Sequence, residues 1–281
     1  MIHGQQDERG VLAGSAAAND AEAEIELTGG GVNEVVRVGT TVRRPARQWS
    51  PAVRALVATL RAAGVQGIPA WHGVDGQGRD IFDYLPGEVG NYPLSEQVRS
   101  VSALTTAATL LRAMHDASMP LTSGDTLLWQ LPPIQPVEVV CHGDFAPYNC
   151  VFAAGEAVGV IDFDGARPGP RRWDLAYALY RFAPLTNPAN GDGFGEPMEQ
   201  ARRARIFLDA YGCAPEQRMD TLAAVGPRLM QLVTFMQEAA AGGDPSFARH
   251  IEEGHADLYL RDIEYVQAQD KQWSAVITGP N

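Results

Sequence analysis

Apolar residues recur at helical spacing between positions 94 and 118, where Val98, Val101, Leu104, Ala108, Leu111 and Met114 share one face, so an amphipathic helix is predicted there. A second helix is predicted over 52–63, with Ser50 as N-cap and Pro51 as first helical residue. Short β-prone runs stand at 137–141, 150–152 and 158–161, and Gly155-Glu156 supplies the turn between the last two. Nearer the start, 27–38 reads as strand, glycine turn, strand. Positions 40–45 form a further strand, and 79–84 another after the turn Asp75-Gly76-Gln77-Gly78. Residues 119–136 form a Pro-punctuated connection. Helices are predicted at 173–182, 198–211, 216–241 and 246–268, with a long Gly/Pro loop over 184–197 that is a candidate insert beside a substrate cleft.

The polar positions that interrupt these strands carry the chemistry. His142-Gly143-Asp144-Phe145-Ala146-Pro147-Tyr148-Asn149 follows the strand at 137–141, and Ile161-Asp162-Phe163-Asp164 closes the strand at 158–161. Loops from neighbouring strands that present Asp144, Asn149 and Asp162 offer oxygen ligands. Mg²⁺ takes few such ligands from protein and the rest from water and phosphate. In kinases a loop Asp orients the acceptor hydroxyl, an Asn five residues on binds metal, and a later Asp binds metal again. Here Asn149 follows Asp144 by five positions and Asp162 follows Asn149 by thirteen. An isolated Asp-x-x-x-x-Asn is a common loop sequence, and an Asp at a strand end can simply form a turn, the reading given to Asp164. The ordered trio, with a hairpin between its parts, is far more specific.

Together with Asp174-Leu175-Ala176 at the start of the next predicted helix, the stretch 137–180 resembles the aminoglycoside phosphotransferase family. These are small-molecule kinases whose catalytic loop reads His-Gly-Asp-x-x-x-x-Asn. The resemblance implies an α+β, two-lobed protein-kinase-like fold. Residues 1–20, rich in Ala, Gly, Gln, Asp and Ser, are expected to be a flexible tail, and the resemblance then implies a small antiparallel-sheet N-lobe at 21–87 and a larger, mainly helical C-lobe at 88–281. It implies that Asp144 is catalytic, that Asn149 and Asp162 hold Mg²⁺, and that His142 and Asp174 support the loop. The donor would be ATP or GTP. The acceptor would be a small molecule with a hydroxyl, an aminoglycoside or another hydroxylated antibiotic, in resistance or self-protection. A metabolite kinase for an amino alcohol or sugar is the alternative.

The nucleotide end departs from the kinase pattern. A strand Lys normally grips the phosphates and pairs with a helix Glu. The only lysine here, Lys271, lies near the C-terminus, and the helix at 52–63 contains no acidic residue. One arginine of Thr40-Thr41-Val42-Arg43-Arg44-Pro45 is expected to stand in. Strand alternation puts Val42 and Arg44 on one face and Arg43 on the other, and Arg43 is the expected phosphate ligand. Gly30 and Gly31, in the run Gly29-Gly30-Gly31, are expected to cover phosphates with backbone N–H groups; no Gly-Lys-Ser/Thr follows, so this is not a Walker A loop. Backbone groups of Asp83, Tyr84 and Leu85, before the break at Pro86-Gly87, are expected to meet the purine edge.

Bulk properties add limits. The chain has 281 residues, enough for two lobes around a cleft, and 45% of them are hydrophobic. No apolar run approaches a membrane span, the N-terminus lacks a signal-peptide layout, and three cysteines without metal-site spacing are expected to be buried thiols, all pointing to the cytoplasm. The formal charge of −12 argues against nucleic acid as a partner and suits a cationic acceptor. No membrane partner is expected, and monomer and homodimer both stay open. Two rivals come from other classes. A metal-dependent hydrolase could use His142, Asp144, Asp162 and Asp164 but would need neither glycine hairpin nor strand Arg. A non-catalytic nucleotide-binding regulator of the same fold would tolerate the missing helix Glu but has no use for the intact trio.

Overall fold

The computed structural model describes residues 23–27, 35–123 and 127–279. The predicted tail at 1–20 and the glycines Gly30 and Gly31 lie outside the described residues.

The first elements build a small sheet lobe. Strands β1 (Ile25–Glu26), β2 (Val36–Val38), β3 (Thr41–Pro45), β4 (Trp71–Val74) and β5 (Arg79–Asp83) form an antiparallel sheet in the order β1-β2-β3-β5-β4. Helix α1 (Ser50–Ala62) packs Val53, Leu56, Val57 and Leu60 inward, the apolar spacing of a helix with one buried face. Its N-cap is Trp49, not Ser50; Ser50 is already helical, and its Oγ instead accepts a hydrogen bond from the Arg47 N–H at 2.9 Å. After β5 the chain leaves the sheet through Tyr84, whose N–H donates to the Thr40 carbonyl at 2.9 Å.

The remainder forms a larger helical lobe. Strand β6 (Glu88–Val89) pairs with β8 (Cys150–Ala153), which pairs with β9 (Glu156–Val160); β7 (Val139–Cys141) pairs with β10 (Arg167–Gly169). The single helix expected over 94–118 is divided into α2 (Glu96–Arg99) and α3 (Val101–Ser118). Ser100 causes the break. It takes an extended conformation, and its Oγ accepts from the Ala103 N–H at 3.1 Å, which caps α3 afresh. Helix α4 (Arg171–Phe182) follows β10 and is buried on nearly every side. The three helices expected after it are five: α5 (Pro197–Tyr211), α6 (Pro215–Ala223), α7 (Val225–Ala241), α8 (Pro245–Glu252) and α9 (His255–Thr278). Gly254, at φ 82°, separates α8 from α9, a left-handed residue at which a helix cannot continue.

The core is centred on α3, α4, α5 and α9, where Leu104, Leu111, Leu179, Phe207 and Trp273 are wholly buried. Each such side chain contributes roughly 1.5–3 kcal/mol of transfer free energy, enough to hold α4 rigid beneath the loops that follow β7 and β9. The three cysteines are buried thiols without disulfide partners. Among the described residues no helix is long and apolar enough to cross a membrane.

Candidate active site

The loop between β7 and β8 rests on a buried carboxylate. Asp174, in the first turn of α4, is fully buried and accepts from the backbone N–H groups of His142 at 2.5 Å and Gly143 at 2.8 Å; its Oδ2 also lies 3.1 Å from His115 Nε2. Burial pushes the Asp174 carboxyl up, yet His115 and these N–H donors outweigh it and hold the group below its usual value. The ring of His142 spans the two loops. Its Nε2 lies 3.1 Å from the Ile161 carbonyl and its Nδ1 accepts from the Asp144 N–H at 3.3 Å, so the partners select the neutral tautomer protonated at Nε2. Gly143, at φ 85°, has to be glycine: a Cβ there would sit 2.0 Å from the Gly165 carbonyl oxygen. Arg228 of α7 donates to the Gly143 carbonyl at 2.5 Å.

Above this floor, both oxygens of Asp144 are held. Oδ1 accepts from the Tyr148 hydroxyl at 2.7 Å and Oδ2 from Asn149 Nδ2 at 2.8 Å. The Tyr148 hydroxyl lies 2.8 Å from that of Tyr177, which accepts from Arg181 Nε at 3.1 Å. Because a guanidinium only donates, the chain of hydrogen bonds has one polarity, from Arg181 through Tyr177 and Tyr148 to Asp144. Arg181 is enclosed by the rings of Tyr92, Tyr148, Tyr177, Tyr180 and Tyr259, all within 5.9 Å of its guanidinium carbon.

Asp162 leaves β9 at φ 59°, a left-handed conformation that Asp tolerates better than most residues and that turns its side chain into the cleft. It faces Arg44 at 3.7 Å, and Arg44 also forms a close ion pair with Asp164. Partial withdrawal from water at the cleft wall, with the side chain still 46% exposed, raises the Asp162 carboxyl above its usual value; Arg44 opposes this, while Asp164 and Asp144 add to it. Two carboxylates thus share one guanidinium, and the charge of Asp144 is felt at Asp162 as well. Asn149, having spent its amide N–H on Asp144, has no donor to its Oδ1 among the described residues. An all-oxygen set with surplus negative charge fits Mg²⁺.

These groups line one side of a cleft of about 530 Å³ between the lobes. Its apolar walls include Val42, Val53, Phe82 and Val151, a setting that suits a flat ring, and Asp83, Tyr84 and Leu85 line it as well. The Asp83 carboxylate itself is engaged by the Ala70 N–H at 2.8 Å and by His72 Nε2 at 2.6 Å.

Arg43, the expected phosphate ligand, is turned away from the cleft. It donates to Thr41 Oγ1 at 2.6 Å and faces Asp75 at 3.9 Å, whereas Arg44 lines the cleft with Val42. Strand alternation explains this: Val42 packs against the apolar interior, so the residue two positions on shares its face. Arg44 was therefore legible in the sequence, from the same pattern that set Arg43 apart. The missing α1 acid is also accounted for. Arg54 of α1 pairs with buried Asp80 at 2.7 Å, and the carboxylate beside the cleft arginine comes from Asp164 instead. Asp164, read as a turn-former, is thus an ion-pair partner. Tyr177, Arg181 and Arg228 escaped sequence reading because only α4 and α7 packing brings them to the loop, and Tyr148, already in the loop, shows its role only through its bonds to Asp144 and Tyr177.

Residues 121–222 match the model of a family described as the phosphotransferase enzyme family. The chain is 32% identical over 229 residues to the trifolitoxin immunity protein of Rhizobium leguminosarum bv. trifolii, covering 78% of this chain and 82% of that protein. Among solved structures, a choline/ethanolamine kinase family protein from Mesorhizobium loti superposes with a TM-score of 0.62 at 17% identity, over 94% of this chain and 95% of that one. A spectinomycin phosphotransferase solved with ADP and spectinomycin superposes at 0.53 and 12% identity, over 91% of this chain and 93% of its own. At these identities the two structures show a shared kinase-like fold.

Proposed function

We propose a reaction for a chain that belongs to the phosphotransferase enzyme family: transfer of the γ-phosphoryl group of ATP or GTP, with Mg²⁺, to a hydroxyl of a small hydroxylated antibiotic. The observation that carries this reading is the convergence of Asp144, Asn149, Asp162 and Arg44 on a single cleft between two lobes. Phosphoryl transfer asks mainly for positioning and charge stabilisation, and these four groups supply both. Asp144, fixed by Tyr148 and Asn149, orients the acceptor hydroxyl and receives its proton. Arg44 grips phosphate oxygens with a permanently charged planar fork, once they draw it from Asp164 and Asp162. Asn149 and Asp162 hold Mg²⁺, which when bound neutralises charge on the transferring phosphate. His142, Gly143 and Asp174 keep the loop at its height in the cleft. The backbone from Asp83 to Leu85 meets the purine edge.

A role in self-protection is supported by the relative named for immunity to trifolitoxin. The intact trio weighs against a regulator without activity, and the strand arginine weighs against a hydrolase.

The test is a melting-temperature matrix of ATP and GTP with Mg²⁺, crossed with aminoglycosides, other hydroxylated antibiotics and amino alcohols. Nucleoside diphosphate release is then measured for each stabilising pair. A Mg²⁺-dependent nucleotide shift with diphosphate release driven by one antibiotic class is the expected result. Release driven only by amino alcohols would replace the acceptor class, and no nucleotide shift would sink the reading.

A further inference from the structure

Two clusters of metal-type side chains occur among the described residues, and they differ in what their atoms already do. His115, Cys141 and Asp174 are buried beneath the loop, and their ligand atoms are spent within the fold: His115 on Tyr211 at 2.8 Å and on Asp174 at 3.1 Å, Cys141 on the Pro170 carbonyl at 3.5 Å. His250, Glu253 and His255 stand open at the junction of α8 and α9. Their ligand atoms all lie within 4.8 Å of one another, and neither imidazole has a hydrogen-bond partner among the described residues. The two rings are stacked, 5.0 Å apart and 23° from parallel, with no carboxylate between them, and His255 Nε2 is 3.7 Å from Glu253 Oε2.

We infer that His250, Glu253 and His255 form a binding site for a zinc-class divalent cation at the rim of the cleft. Two imidazole nitrogens and one carboxylate are a donor set for a borderline cation such as Zn²⁺, whereas Mg²⁺ prefers oxygen alone. Ligand bonds of ~2.0–2.1 Å in a tetrahedral shell put donor atoms ~3.4 Å apart, so the present spacing closes with small side-chain rotations. Those rotations are free for His255 and Glu253, whose side chains are 47% and 51% exposed. His250 is the fixed point. Its ring rests edge-on against Phe247, and Phe247 rests on Phe235 of α7. The left-handed Gly254 folds His255 back toward it. Three protein ligands leave at least one position to water or to a ligand group. Because His250 also lines the cleft that holds Asp144, that position belongs to the cleft's edge.

The site is independent of the phosphotransferase reading. It is tested by isothermal titration of the full chain with ZnCl₂, in wild type and in His255→Ala, His250→Ala, Glu253→Gln and Asp144→Ala. One saturable Zn²⁺ per chain is expected, undisturbed by excess MgCl₂ and by Asp144→Ala. Each histidine variant should weaken it by more than the ~10-fold that even an outer-shell partner is worth, while the metal-free melting temperature of His255→Ala stays at the wild-type value. Absence of saturable binding, or wild-type affinity in both histidine variants, would overturn the site. Cobalt substitution gives a second readout: a visible spectrum without thiolate charge-transfer bands is expected, and thiolate bands would assign the metal to a cysteine instead.

Discussion

Asp174 and Asp162 lie on opposite sides of the same pair of loops, and they face opposite electrostatic conditions. Asp174, in the floor, is wholly buried yet meets two backbone donors and His115, which together bring its carboxyl below the usual value despite burial. Asp162, at the cleft face, has a side chain 46% exposed, sits in a left-handed backbone and shares Arg44 with Asp164, and its carboxyl is raised. The floor is satisfied and the face is left short of positive charge. A kinase-like site gains from that division, because the ligand then brings the missing charge to a frame that does not move.

The largest expected effect separates chemistry from frame. Replacing Asp144 by Ala should cut turnover by ~10²–10⁴-fold, the range for a positioned proton acceptor, while Mg²⁺-nucleotide still raises the melting temperature. Unchanged turnover would remove Asp144 from the role given to it. On the floor, Asp174→Asn should cost about 3 kcal/mol or more of stability, because the amide turns a donor toward N–H groups that need an acceptor. Chemical denaturation would read this directly. The wild-type contribution of Asp174 also has a defined pH sense. Its folded-state value lies below the unfolded ~3.9, so the stability is in full force above that pH and is lost as pH falls through the folded value. Asp174→Asn should accordingly differ less from wild type as the medium becomes strongly acidic.

The two strand arginines sharpen the comparison further. Arg44→Met should raise the KM for nucleotide by ~10-fold or more, the worth of a charge-assisted hydrogen bond of ~1.5–3 kcal/mol. Arg43→Met, which loses contacts to Thr41, the Val42 carbonyl and Asp75 on the side of the strand away from the cleft, should leave the KM within about twofold, as changes of about 0.5 kcal/mol do. The reverse result would return the phosphate-binding role to Arg43. The smallest effect has the opposite sign from that of Asp174. Asp162→Asn should abolish the Mg²⁺-dependent nucleotide shift yet slightly raise the melting temperature of the ligand-free protein at pH 7. The raised carboxyl costs stability when ionised; that cost fades as pH drops through the raised folded value, and the gain should fade with it. A lower melting temperature would show that the face is as well satisfied as the floor.

Much of this site is legible in one dimension. The loop 142–149, the hairpin after it and the strand delivering Asp162 stand where the periodicity put them, because each is a local matter of alternation and turn residues. Helix ends were less legible. Ser50 looks like a cap but lies one residue inside α1, and Ser100 looks like helix interior but opens a new one; in both cases tertiary packing decided the direction in which the chain enters. The choice of Arg44 over Arg43 was open to the sequence, because alternation puts Arg44 on the face of the apolar Val42 and that is the face that lines the cleft.

The order and spacing of Asp144, Asn149, Asp162 and Asp174 are properties of the chain alone, since loop chemistry and strand period are local. The Arg181–Tyr177–Tyr148 chain onto Asp144, the pairing of Arg44 with Asp164 across 120 residues and the meeting of His250 with His255 beside the cleft are not. The first two depend on segments far apart in the chain packing around one core, and the third on the turn at Gly254 and on where that turn lies against the cleft; none of these leaves a period for a sequence to display.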